Sequence, residues 1–241
     1  MSSSPLTETD RAAFRGLIRR VAPLADADLA AVEAHARVRL LQRGEAFLVP
    51  GDRAVDCGTI LDGLVREFFV LADGREVTRG FAGPGDNVGS LSDLLLAAPA
   101  RSSVVAEADT RIVMLPWLRL RAIADQRPAW ARLLARITER LYLAKAGREY
   151  ELLALDAEAR YLRFRAQYAA LEPEIALRQV ASYVGITPEH LSRLRRRLAG
   201  EPPGSTMRTR PRTRASARSS RSAAAPPAPR TARRPAPASR R

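Results

Sequence analysis

Between Arg37 and Leu115 the apolar positions fall in short runs, each ended by a turn signal. The signals are Arg43-Gly44, Pro50-Gly51-Asp52, Asp62-Gly63, Asp73-Gly74 and Pro84-Gly85-Asp86. Their spacing of roughly ten residues predicts short antiparallel strands closing into a sandwich or barrel. Asp73-Gly74, between Val65–Leu71 and Glu76–Phe81, predicts a tight hairpin turn. Ahead of this region, Arg11–Arg20 and Asp26–Ala36 read as a short helical lead-in.

From Pro128 the period changes from strand to helix. Proline suits a first helical turn, where its missing N–H costs nothing. Leu134, Ile137, Leu141 and Ala144 recur at steps of three, four and three, making one apolar seam between charged flanks. The helix is expected to run to Leu155. Its seam predicts pairing with a second copy of the chain, the plainer alternative being that it packs only on its own domain. Asp156 is positioned to cap a further helix, Ala157–Ala170.

Ile175 to Leu198 reads I-A-L-R-Q-V-A-S-Y-V-G-I-T-P-E-H-L-S-R-L-R-R-R-L. Leu177, Val180, Ala181 and Val184 give the first helix its apolar face. Gly185 permits the sharp turn that follows. Thr187, Pro188 and Glu189 then form a helix start of N-cap, proline and first-turn acid. In the second helix Leu191, Leu194 and Leu198 form the expected buried stripe. The opposite stripe is Glu189, Ser192, Arg193 and Arg196, with Arg195 and Arg197 flanking it. A solvated face would also be polar. Arginines here, however, can bond guanine O6 and N7 in pairs, and the acid can accept from cytosine N4. A helix so armed after a glycine turn predicts a helix-turn-helix docked in a DNA major groove.

Charge changes this picture less than its sum suggests. The formal charge is +14, but eleven arginines and no acid lie in 202–241, which leaves +3 for residues 1–201. Charge alone therefore does not make the folded part a DNA binder. The 202–241 segment also holds eight of the seventeen prolines. Its Ala/Arg/Pro/Ser mixture predicts a disordered basic tail over 201–241, either a phosphate-seeking arm or a stretch without a role. Lys145 is the only lysine, a bias that composition of the genome explains. No apolar run approaches the length of a membrane span, and Met1–Asp10 lacks the order of a signal peptide. A cytoplasmic location and no membrane partner are expected.

The arrangement resembles the Crp/Fnr family, the cyclic-AMP receptor protein and its relatives, over about residues 14–199. Five segments in the family's order carry the likeness: G-E-A-F-L-V-P-G-D (Gly44–Asp52), I-L-D-G-L-V-R (Ile60–Arg66), A-D-G-R-E (Ala72–Glu76), F-A-G-P-G-D-N-V-G (Phe81–Gly89) and the helix-turn-helix. The resemblance implies an α+β chain. Its parts would be a β-roll sensor of the cyclic nucleotide-binding jelly-roll type over 1–127, a long dimerisation helix over 128–155 and a helix-turn-helix DNA-binding domain over 156–200. It implies a homodimeric transcription regulator that reads a palindromic double-stranded operator and meets RNA polymerase. Glu189 and Arg193 fall on the family's base-reading positions, Thr187 and Arg196 on phosphate-contacting ones. Ser192 and His190 join the expected DNA-binding set, His190 through backbone or base. Pro188 stands where some members carry another base-reading arginine. A β-hairpin wing normally follows, whereas here Glu201-Pro202-Pro203-Gly204 leads into the basic segment, so the wing is expected to be missing or reduced.

Nucleotide-binding members hold the ribose with a Gly-Glu pair and the phosphate with an Arg-Ser pair. The corresponding residues are Gly89, Ser90, Arg101 and Ser102. Arg101 and Ser102 suit an anion, but Ser90 stands in place of the acid, and Arg101 also reads as an ordinary surface arginine. An effector other than cyclic AMP, of unknown identity, is therefore expected. No cofactor or metal is expected. Cys57 alone cannot hold an iron–sulfur cluster, and His35 and His190 are poorly placed for haem. As a redox sensor Cys57 would need a lowered pKa. No nucleophile–base pair or phosphate-cradling loop points to an enzyme. The alternative to an operator-reading regulator is a ligand-binding signalling module with no specific operator.

Overall fold

The computed structural model describes residues 3–200. The predicted tail and the expected loss of the wing lie outside these residues. Nine strands, eight α-helices and one short 3-10 helix (Glu172–Glu174) are described, in an order that alternates little. Strand β1 (Ser3–Pro5) and helices α1 (Glu8–Val21) and α2 (Asp26–Glu33) precede the sheets. Strands β2 (Arg37–Leu41), β3 (Ala46–Leu48), β4 (Asp56–Asp62), β5 (Val65–Val70), β6 (Glu76–Ala82) and β7 (Asn87–Val88) follow. Helix α3 (Leu91–Leu96), strands β8 (Ser103–Ala106) and β9 (Thr110–Pro116) and helix α4 (Trp117–Gln126) lead to the long α5 (Pro128–Ala154). Helices α6 (Ala157–Gln167), α7 (Leu177–Val184) and α8 (Pro188–Leu198) end the described chain.

The strands form two antiparallel sheets, ordered β1-β2-β9-β4-β7 and β3-β8-β5-β6. Leu41, Phe47, Ile60, Val65, Val104 and Ile112 fill the space between them. Strand β9 is covered on both faces. Ile112 points between the sheets, while Val113 and Leu115 point outward into a second core with Phe14, Ile18, Leu29, Trp130 and Leu133. That double burial explains the unbroken apolar run I-V-M-L at residues 112–115, where a half-exposed strand would alternate. The hairpin between β5 and β6 turns at Gly74, whose φ of +81° matches the predicted turn.

Two helices interrupt the region read from the sequence as strands or left without an element. Leu91–Leu96 is helical, and so is Trp117–Gln126. The first is too short for a period to declare itself, and the second begins at a proline N-cap position with no side-chain cap. Helix α5 starts with Pro128 at its first turn, and α6 is capped by Asp156, whose carboxylate accepts from the Ala159 N–H at 2.8 Å. Helix α6 stops at Gln167 rather than Ala170.

The apolar positions of α5 divide along its length. Trp130 and Leu133 are buried, and Leu134 and Ile137 pack against the same core. Beyond them Leu143 and Leu153 are 67% and 81% exposed, with Tyr142 and Tyr150 also uncovered. Two members of the predicted seam, Leu134 and Ile137, thus lie against the chain's own N-terminal part.

Candidate nucleic-acid interface and ligand sites

Helix α8 is built as a two-faced element. Thr187 caps it, its hydroxyl oxygen accepting from the His190 N–H at 3.2 Å, and Pro188 occupies the first turn. Leu191 and Leu194 are 0% and 3% exposed, whereas Leu198, expected to complete the buried stripe, is 37% exposed. Leu198 lies in the last turn, beyond the reach of the core formed with α6 and α7. Glu189, His190, Arg193 and Arg196 are all exposed, and Ser192 is half-buried. Hydrogen bonding from its own N–H and from Thr187, helped by Arg193, holds the Glu189 carboxyl below the usual carboxylate range. Among the described residues Arg193 and Arg196 make no ion pair, but Arg197 does, with Glu158 of α6. Arg197, one of the two arginines flanking the stripe, thus has its guanidinium paired with the protein.

The turn before α8 is held from several sides. Gly185 sits at φ +79°, the left-handed conformation that a side chain disfavours. The last carbonyls of α7, which no helical N–H can reach, are met by arginines. Arg148 of α5 donates to the Tyr183 carbonyl and lies 3.8 Å from its ring centroid. Arg160 of α6 donates to the Val184 carbonyl at 2.8 Å. Leu64, in the turn between β4 and β5, and Phe81 of β6 join Tyr161, Phe164, Val184 and Leu191 in one core. Phe81 meets Tyr168 and Phe164 edge-on, with centroids 5.5 and 6.1 Å apart. Ser182 of α7 reaches the free edge of β6, where its hydroxyl accepts from the Thr78 N–H and donates to the Glu76 carbonyl, both at 2.9 Å. The helical end thus shares a core and backbone hydrogen bonds with the sheet, contacts whose sequence separations of up to 106 residues hide them from local patterns.

Of the four residues expected at a nucleotide site, Ser90 and Arg101 fall in one group and Ser102 in another, with Gly89 beside Ser90 in the chain. Ser90 donates to the buried Asp93 carboxylate at 2.7 Å, and Arg101 donates to the same carboxylate through Nε at 3.0 Å and its N–H at 3.2 Å. Burial alone would raise the Asp93 carboxyl, but these hydrogen bonds outweigh it and hold it below the usual range. Ser102 donates instead to Glu67 at 2.7 Å, which Arg79 also engages at 2.6 Å. Neither Glu67 nor Asp93 was legible as a site residue. Asp93 sits inside a helix that periodicity missed, and Glu67 reaches Ser102 only through the pairing of β5 with β8. An incoming phosphate would meet two carboxylates already bonded to the donors it needs.

Cys57 is also accounted for. Its thiol donates to the Leu115 carbonyl at 3.6 Å, and burial, with Asp56 adding to it, pushes the thiol up to about 12. This is the reverse of what a redox-sensing thiolate requires. Among the described residues no cluster of His, Cys, Asp and Glu could hold a metal, and no helix is long and apolar enough to cross a membrane.

Residues 38–127 match the model of the cyclic nucleotide-binding domain family. No curated protein matches the sequence. Among solved structures, FixK2 from Bradyrhizobium japonicum is 24% identical with a TM-score of 0.60, over 68% of this chain and 85% of that one. The c-di-GMP-responsive global regulator CLP from Xanthomonas campestris is 20% identical with a TM-score of 0.60, over 73% and 92%. A CooA mutant from Carboxydothermus hydrogenoformans is 18% identical with a TM-score of 0.58, over 69% and 78%. Residues 38–127 thus resemble the cyclic nucleotide-binding domain, and the described chain shares the fold of FixK2, CLP and CooA.

Proposed function

We propose that the protein is a homodimeric, sequence-specific transcription regulator that inserts α8 into the major groove. The observation that carries this reading is the division of α8, with Leu191 and Leu194 buried and Glu189, Arg193 and Arg196 free at the surface. Glu189 and Arg193 would read base edges, with Ser192 and His190 beside them, while Thr187 and Arg196 would meet phosphates. In this reading 1–127 senses, 128–155 dimerises and 156–200 binds DNA, in the cytoplasm and in contact with RNA polymerase.

The dimer would form on the exposed end of α5, where Leu143, Tyr150 and Leu153 recur at coiled-coil steps. An uncovered row of this kind on one helix marks a protein contact. Two recognition helices related by a two-fold axis would read a palindrome with half-sites about one helical turn apart. The effector would not be cyclic AMP, because Glu67 and Asp93 add negative charge beside Ser102 and Arg101.

Selection of bound sites from random duplex DNA by the full-length protein tests the reading. A palindromic consensus is expected. Absence of enrichment over bulk DNA would instead favour a ligand-binding module without an operator.

A further inference from the structure

The five-stranded sheet has a concavity on its outer side, where Val113 and Leu115 face the helices. It lies between β4, β7 and β9 and the helices α1, α2, α3, α4 and α5, and has a volume of about 100 Å³. Its walls are apolar, with both tryptophans of the chain, Trp117 and Trp130, among them. No charged side chain lines it, and Thr59, Asn87 and Thr138 supply the few polar side chains besides the protonated thiol of Cys57. Of the four residues expected to bind a nucleotide, only Gly89 borders it. Exposed Thr138 and half-exposed Leu141 stand at its edge on α5.

We propose that this cavity is a binding site for a small, uncharged, apolar molecule of about single-ring size. The size follows from the volume, which is of the same order as the roughly 150 Å³ at which an engineered apolar cavity stays dry and takes up benzene. The chemistry follows from the lining. A charged ligand would lose its hydration and find no counter-charge, and a nucleotide is too large and too polar. The serines and arginine expected to hold a nucleotide, by contrast, are committed to Glu67 and Asp93. One wall of the cavity is the stretch of α5 carrying Leu134 and Ile137, and the same helix continues toward α6 and the proposed DNA-reading unit. The site therefore supplies the effector chemistry of the regulator proposed above, and its role as a signal rests on that reading, although binding itself does not.

Titration of the full-length protein with benzene, without DNA, tests the site through Trp117 and Trp130. A saturable change in tryptophan emission at one benzene per chain is expected, together with a rise in melting temperature. Thr138→Phe and Leu141→Phe place a ring in the space these lining residues border and are expected to raise the midpoint about tenfold, because the added ring takes volume the ligand would fill. A signal that rises without saturating, or that ignores both substitutions, overturns the proposal. With no DNA in the measurement, that failure leaves the operator reading standing, and failure of the operator selection leaves benzene binding standing.

Discussion

The two ends of α5 have similar compositions and opposite surroundings. At the start, Trp130 and Leu133 are buried among α1, α2 and β9, and the Trp130 indole N–H donates to the Asp28 carbonyl at 2.9 Å. At the far end, Leu143, Tyr150 and Leu153 touch little of their own chain. The same kind of residue therefore stabilises the fold in one half and stays available for association in the other. Periodicity cannot separate these roles, because it records that a face is apolar and not what covers it.

The comparison can be broken most readily at the covered end. Cys57 packs against that core, and a thiol pushed from 9.0 to about 12 carries roughly a thousandfold less thiolate at neutral pH. Iodoacetamide at pH 8 is expected to alkylate the folded protein slower than the urea-unfolded chain by about that factor. Similar rates would show that the core there opens freely. The raised value also makes stability fall as pH rises above the unfolded thiol's 9.0, where only the unfolded chain ionises. Next in size, Trp130→Ala should cost about 3–5 kcal/mol in chemical denaturation. A loss below about 1 kcal/mol would mean that this half of the helix is not fixed in the core.

At the uncovered end, the double substitution Leu143→Asp with Leu153→Asp should cost dimer affinity about 2 kcal/mol or more, roughly thirtyfold in dissociation constant. Sedimentation across a concentration series reads it, and an unchanged dimer would place the interface elsewhere. Arg193→Ala should cost about 1–3 kcal/mol in operator binding and relax specificity at one base of each half-site. Its melting temperature should stay the same, since the side chain is exposed. Smallest of the set, Ser182→Ala removes two hydrogen bonds to β6 and should cost about 1 kcal/mol. Faster amide exchange at Thr78 would accompany that loss, and unaltered protection there would argue that the serine does not hold the edge.

Much of this architecture was legible from the sequence because its cues are local. Gly74 marks a hairpin, Asp156 and Thr187 cap helices, and Gly185 takes the left-handed turn, each within a few residues of what it controls. The α8 stripe was readable for the same reason, down to its exposed acid and arginines. What escaped was non-local. Phe81 and Phe164 belong to segments far apart in the chain, and nothing in either segment announces that they share a core. Glu67 reads as one more polar residue in a strand until β8 brings Ser102 against it. Leu198 went wrong in the opposite direction, since a correct helical period ran one turn past the packing that gives it meaning.

The hydroxyl of Ser182 also has a bearing on solubility. Among the described residues strand β6 is the last in its sheet, and one side of its backbone has no neighbouring strand. While α7 is docked, the serine occupies part of that side, much as a short piece of chain would. Should the helical end swing away, the Glu76 carbonyl and the Thr78 N–H would be left open to any extended segment nearby, including the β6 of another molecule. Movement of the helical end would then carry a risk of self-association by strand addition.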